Sequence, residues 1–571
     1  MTKFIVVVGG VISGVGKGIT TASVGKLLQS YGYKVTAVKI DPYLNSDAGT
    51  LRPTEHGEVW VTNDGGEIDQ DLGNYERFLG IELSKRNNLT SGQIYGKVID
   101  KERKGEYLGE TVQFIPHIPD EIKSRIYESA KGNDFVLVEV GGTIGDFENL
   151  PFLFAMKNIE REVGKENVVY LMVTYMPVPG HMNEMKTKPT QQAIRMLSET
   201  GIFPDFIICR SKHPIDEVRK KKIEVNANIP SDYIIAAPDV DTIYRIPLDL
   251  EKEHLALKIL SEMRLKLKTK SNLGSWKKLV DSIEKPKKKV KIAMVCKYLD
   301  IGEYSLVDSY TSVNHALIHA GASLDAGVEI DWIDAKKFEK NKSELNKLKD
   351  YDGILVPGGF GASGVEGKIM AIQYARENNV PYLGLCYGMQ LAVVEFARNV
   401  AGLSDANTTE NKKSTKYPVI DILESQKEIL EKNNYGGTMR LGSYAAMLKK
   451  DSKVYSLYKE TGRLKEDEEK LENLKKEKEN KFRIGILEDD KPVVLERHRH
   501  RYEVNPELIQ DLEKKGLVFS GLHSREDGTN LMEFIELPKH KFFVATQAHP
   551  EFKSFLGKPA PLFYGFIKSM I

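Results

Sequence analysis

Residues 10–22 read GVISGVGKGITTA, directly after the apolar run Phe4-Ile5-Val6-Val7-Val8 and ahead of a helical pattern. A strand, a glycine loop and a helix in that order make a phosphate-binding layout. Backbone N–H groups and the positive end of the helix favour an anion there. The usual spacing GxxxxGK[ST] is not met. Val11 stands where the first glycine belongs, and Lys17 is followed by Gly18 instead of a hydroxyl residue. The stretch is therefore a variant phosphate loop opening an α/β domain.

Working outward, short apolar runs recur between helical patterns: KVTAVKI (34–40), FVLVEV (135–140), VVYLMVT (168–174) and FIIC (206–209). Such alternation predicts a doubly wound, mainly parallel sheet. From Lys266 the composition turns basic and polar, which predicts a solvated linker over 267–289. A second alternation then begins with VKIAMV (290–295), VEIDWI (328–333), GILV (353–356) and PYLGL (381–385). The expected fold class is α/β with two doubly wound, mainly parallel-sheet domains, 1–266 and 290–571. The almost wholly charged run at about 463–481 is expected to be a surface helix or loop insertion.

Net charge is +1 over 571 residues, so the whole-chain charge favours neither nucleic acid nor an anionic membrane. No apolar run approaches a bilayer span. Cys209, Cys296 and Cys386 are far apart, without metal-ligand spacing, and fit reduced thiols. The expectation is a cytoplasmic protein with no nucleic-acid or membrane partner.

The second half carries a thiol nucleophile. Gly384-Leu385-Cys386-Tyr387-Gly388 has the spacing of a nucleophile elbow with Cys in place of Ser. Met389, Ala392, Val393, Phe396 and Ala397 follow at helical spacing, which sets Cys386 at a helix N-terminus where the dipole favours thiolate. Near the end, ATQAHPEF (545–552) places His549 and Glu551 two residues apart, on one face if extended, so the carboxylate can hold the imidazole in its tautomer. The glycines of VPGGFG (356–361) can aim backbone N–H groups at an oxyanion.

From Val290 onward the chain resembles the class I glutamine amidotransferases. The motifs GGVISGVGKG, KTKPTQ, GGTMRLG, ERHRHRYEVN and HPEF make nearly the whole chain similar to the CTP synthase family. That resemblance implies that ATP phosphorylates O4 of UTP, and that ammonia from L-glutamine, passed internally, displaces phosphate to give CTP. It implies ATP contacts at Gly14, Val15, Gly16, Lys17, Gly18, Ile19, Asp71, Pro238, Asp239 and Val240. Mg²⁺ would lie on Asp71 and Glu139. UTP, and CTP as inhibitor, would meet Ser13, Asp146, Phe147, Glu148, Lys186, Thr187, Lys188, Pro189, Thr190, Gln191 and Lys222, with Lys39 and Arg210 near phosphates. Glutamine would meet Gly359, Tyr387, Gly388, Met389, Gln390, Glu410 and Arg501, around catalytic Cys386, His549 and Glu551. His56 and Val59 match the channel region, and a homotetramer is expected.

One departure stands out. Ser363 replaces the arginine usual in this family in the loop tied to GTP activation, and serine supplies no fixed charge to a phosphate. Weaker GTP activation, or activation through Arg499, is expected. The nearest rivals are another amidoligase of the same two-part design, such as cobyric acid synthase, and a filament-forming scaffold. KTKPTQ and GDFENLP speak against the first, and an intact Lys17, Cys386, His549 and Glu551 against the second as a sole role.

Overall fold

The computed structural model describes the chain apart from residues 53–56, 182–183, 297–299, 302–303, 306, 360, 362, 423–436 and 477–479. His56 lies outside the described residues. The chain forms two compact units, one of residues 1–48 and 70–280, the other of residues 49–69 and 281–571.

The first unit is built on a seven-stranded sheet. Across it run Asn88–Thr90, Val35–Asp41, Phe135–Val140, Lys3–Gly9, Val168–Tyr175, Phe206–Ser211 and Ile234–Pro238. Every pairing is parallel. Parallel strands are covered on both faces, which is why FVLVEV and KFIVVVG are apolar without alternation. Val6, Val38, Val138 and Met172 share one core with the helix residues Ile122, Ile126, Phe152 and Met156. Strand order turns back on itself at Lys3–Gly9, so the loops after Gly9 and Val140 open at a switch point, where such sheets take ligands.

The expected linker over 267–289 contains a helix, Gly274–Glu284. Trp276 is buried there, its Nε1 donating to the Tyr244 carbonyl at 2.8 Å and its ring packed on Phe78. One aromatic anchor among lysines holds this basic segment to the first unit.

The second unit has a nine-stranded sheet whose first five strands are parallel: Ala326–Asp334, Lys288–Cys296, Gly353–Val356, Tyr382–Leu385 and Phe543–Thr546. Four antiparallel strands extend it: Asn530–Glu536, Val518–Ser524, Arg440–Leu448 and Val493–His500. The hairpin Val59–Val61/Glu67–Asp69 belongs to this unit although it lies early in the sequence. Trp60 anchors it, fully buried, 5.0 Å from the Phe552 ring and under the Arg497 guanidinium. Arg497 Nε donates to Asn63 Oδ1 at 2.7 Å, and Arg499 Nε to Glu67 Oε1 at 2.9 Å.

The charged run at 463–481 begins as the helix Arg463–Leu474, and its inner face is not solvated. Arg463 Nε donates to Asp467 Oδ1 at 3.0 Å, Asp467 Oδ2 accepts from Leu495 N at 3.0 Å, and Lys553 Nζ lies 3.4 Å from Asp467 Oδ1. All three side chains are buried. Among the described residues, no helix is long and apolar enough to cross a membrane.

Candidate functional site

The phosphate loop keeps a glycine's conformation without the glycine. Val11 has φ +78° and bridges a bond from Ile12 N–H to the Gly10 carbonyl at 3.1 Å, a strained γ-turn for a β-branched residue. Gly14 (φ +68°) and Gly16 (φ +92°) complete the turn into the helix Lys17–Ser30. Ser13 and Gly14 are exposed at its tip, Val15 is buried, and Gly18 and Ile19 lie in the first helical turn, whose N–H groups have no partners within the helix.

Lys17 folds back over the loop, its Nζ donating to the Gly142 carbonyl at 2.8 Å. Burial lowers its pKa. Beside it, Lys39 is the hub of three carboxylates. Its Nζ lies 2.9 Å from Glu139 Oε1 and 3.7 Å from Asp41 Oδ1, and it donates to Asp71. Burial alone would lower the Lys39 pKa, but Asp71, Glu139 and Asp41 hold it well above the ordinary lysine value. Burial raises Asp41 to about 6 against the pull of Lys39. A Cβ on Gly18 would sit 2.3 Å from Asp71 Oδ1, so this glycine makes room for the carboxylate.

The other ATP candidates close the same edge. Asp239 N–H donates to the Ser211 carbonyl, following Pro238 at a strand end, and its carboxylate takes Arg210 at 2.9 Å. Arg210 in turn approaches Gly16. Among the UTP candidates, Gln191 Nε2 reaches Thr187 Oγ1 at 3.3 Å and the Lys222 carbonyl at 3.4 Å, bringing those three together. Lys188 and Pro189 open the helix Lys188–Glu199. Lys186 pairs with Glu184 at 2.6 Å. Thr190 is buried, its hydroxyl spent on Thr174, so its side chain does not face solvent. Asp146 Oδ2 accepts from Thr143 N at 2.7 Å, and the Phe147 and Glu148 side chains stand exposed beside it.

In the second unit Cys386 ends the strand Tyr382–Leu385 at φ +49°, ψ −101°, and caps the helix Tyr387–Asn399. That backbone is strained for any non-glycine residue. The framing glycines are sterically required. A Cβ on Gly388 would lie 2.1 Å from the Val356 carbonyl oxygen, and one on Gly384 2.7 Å from the Tyr382 hydroxyl. Cys386 N–H donates to the Thr546 carbonyl at 2.7 Å, tying the elbow to the strand that leads to His549.

His549 Nδ1 lies 2.7 Å from Glu551 Oε1, while Nε2 has no hydrogen-bond partner among the described residues. Burial would lower the ring's pKa. The Glu551 and Cys386 charges outweigh it and raise it to about 10. Ring and thiol flank the same glycine: a Cβ on Gly358 would lie 3.0 Å from His549 Cε1 and 3.7 Å from Cys386 Cβ. Both line a cavity of about 560 Å³. Gly358, Gly359 and Arg501 line it too, and so do Thr50, Glu58 and Val59. Glu410 Oε1 accepts from Gly361 N at 2.6 Å and so holds the glycine loop. The Tyr387, Met389 and Gln390 side chains are buried.

The first half matches the family model "CTP synthase N-terminus" over residues 3–265, and the second matches "Glutamine amidotransferase class-I" over residues 305–569. The CTP synthase of Methanopyrus kandleri is 49% identical over 570 residues, covering 99% of this chain and 98% of its own. That of Pyrococcus abyssi is 48% identical over 569 residues, covering 100% and 98%.

The chain belongs to the CTP synthase family.

Membership makes it an enzyme, a ligase with a class I glutamine amidotransferase half. Three features of the chain were not read from its sequence. Glu58 of the early hairpin segment joins the cavity wall and accepts from Ser312 N at 2.8 Å. Asp41 joins the buried carboxylates around Lys39. Gln547 places Nε2 3.6 Å from Cys386 Sγ. None of the three left a usable signal, and the extended segment expected for His549 and Glu551 is not formed: the strand ends at Thr546, and Glu551 reaches His549 from the tight turn Pro550–Lys553.

Proposed function

We propose that the protein makes CTP by ATP-dependent amination of UTP at C4, with ammonia cut from L-glutamine at Cys386 and passed internally. The observation that carries this reading is the Cys386 elbow facing a His549–Glu551 pair across one cavity, in a chain that also holds the Lys17 loop.

In the second unit the Cys386 thiolate attacks the glutamine amide carbon. The N–H groups of the Tyr387–Gly388 turn and of the Gly358–Gly359 loop take the oxyanion. The His549 imidazolium gives its proton to the leaving nitrogen, and ammonia departs to leave a thioester. The neutral ring then takes a proton from water as it attacks, which releases glutamate and restores the thiolate. Arg501 pairs with the substrate carboxylate and Glu410 with its ammonium.

In the first unit the γ-phosphoryl group of ATP passes to O4 of UTP, and ammonia then displaces phosphate at C4. Lys17 and the loop N–H groups hold the ATP phosphates. Lys186, Lys188 and Lys222 hold the UTP triphosphate, which CTP shares as inhibitor. Asp71 and Glu139 offer hard oxygen ligands. Both carboxylates converge on the Lys39 Nζ, so the pair would hold Mg²⁺ together with nucleotide phosphates. When bound, Mg²⁺ neutralises phosphate charge. Asp71 and Glu139 are held ready by Lys39, and Tyr75 donates to Glu139. GTP activation is weak because exposed Ser363 offers no charge and Arg499 is paired with Glu67. Assembly is a homotetramer.

The test is CTP formation, followed by absorbance, with glutamine, ATP and Mg²⁺. The rise must require UTP. Turnover of another acid acceptor without UTP favours a different amidoligase.

A further inference from the structure

Below the thiol runs a line of buried amides that the steps above leave idle. Gln547 and Gln390 are both buried, and Gln547 is wholly inaccessible to solvent. Gln390 Nε2 donates to the Tyr502 carbonyl at 3.0 Å and to Gln547 Oε1 at 3.2 Å, and Gln547 Nε2 lies 3.6 Å from Cys386 Sγ. An amide has a donor end and an acceptor end, and the network decides which way each points. The Tyr502 carbonyl can only accept, so Gln390 must turn its NH₂ inward. Gln547 must then offer its oxygen to Gln390, which leaves its own NH₂ for the sulfur. The backbone fixes the alignment: Gln547 N–H donates to the Glu533 carbonyl at 2.9 Å, and Cys386 N–H to Thr546 O.

We infer that Gln547 donates a hydrogen bond to the Cys386 thiolate, and that Gln390, pinned by the Tyr502 carbonyl, is the positioning residue that aims it. A donor at sulfur favours the ionised nucleophile, since a hydrogen bond to a charged group is stronger than one to a neutral group. The inference rests on the glutaminase reading above and adds the group that holds the nucleophile between turnovers.

Other charges also face the sulfur. His549, backed by Glu551, stands on the same strand end, and Glu58, Arg499 and Arg501 line the cavity. Behind lie buried His498 and His500, whose pKa values burial, Arg440 and His549 lower, with Glu503 and Glu533 around Arg440. The variants below leave all of these in place.

The experiment measures the iodoacetamide alkylation rate of Cys386 against pH, in the full-length protein, for wild type, Gln547→Met, Gln547→Glu and Gln390→Glu. Met keeps the bulk and removes the donor. Glu at 390 turns the Gln547 NH₂ away from sulfur. Each variant should move the alkylation midpoint up by about one to two pH units, a tenfold to hundredfold loss of thiolate below it. Unchanged thermal unfolding and far-ultraviolet circular dichroism identify a folded variant, and the two same-sized replacements carry the test if Met does not fold. A folded variant with an unshifted midpoint overturns the inference. Failure of wild type to hydrolyse glutamine overturns the glutaminase reading instead, and the midpoint still reports the hydrogen bond.

Discussion

At His549 two opposing effects meet. Burial disfavours the charged ring, Glu551 and the thiolate favour it, and the balance raises its pKa to about 10. The unfolded ring titrates near about 6.5, so protonation of the folded ring adds stability that is full below about pH 6.5 and lost as pH rises through about 10. Glu551→Gln removes the main raising charge. The stability gap between wild type and this variant, read as Tm against pH, should be full just below about pH 6.5, shrink as pH rises and close above about pH 10; a gap that grows above pH 10 contradicts the assignment. Gly18 tests the other centre. A methyl there meets Asp71, so Gly18→Ala should cut ammonia-dependent synthesis by about a hundredfold while glutamine hydrolysis persists. At this scale much was legible. Glycine spacing announced both the phosphate loop and the elbow, because a tight turn needs glycine at fixed offsets. The Gln547–sulfur contact was not, since a hydrogen-bond direction depends on partners distant in sequence.

The parallel strands were legible as elements because burial on both faces leaves unbroken apolar runs. The antiparallel strand Val493–His500 was not, for its second half, Arg497-His498-Arg499-His500, is basic and breaks off the apolar run. Its charges are paired inside: Tyr458 donates to Glu496 at 2.7 Å, Arg497 to Asn63, and His498 lies 3.5 Å from Glu533. The helix Arg463–Leu474 hid its role in the same way. Asp467 lies between Arg463 and Lys553, and Lys553 closes the turn Pro550–Lys553 that carries Glu551. Asp467→Asn removes the carboxylate that both buried cations contact and leaves Glu496 as the remaining acid acting on them. It should destabilise the second unit by about 3–5 kcal/mol and reduce glutaminase rate, measured by urea unfolding and glutamate release. A change below about 1 kcal/mol would make the helix a surface decoration after all.

For the whole molecule, sequence alternation was enough to announce two α/β sheets. It could not announce that residues 49–69, set between pieces of the first unit, belong to the second. A long-range contact, Trp60 against Phe552 and Arg497, makes that assignment, and no local pattern carries it. Trp60→Ala should cost the second unit about 3–5 kcal/mol and lower glutamine hydrolysis, although Trp60 lies over three hundred residues before Cys386 in sequence. Unaltered unfolding and hydrolysis would mean the hairpin is merely laid on the surface. The division of labour itself is tested most directly by Cys386→Ala, assayed for CTP formation with glutamine and then with added ammonia. The folded variant should lose the first activity and retain the second; loss of both would contradict two separate reaction centres in one chain.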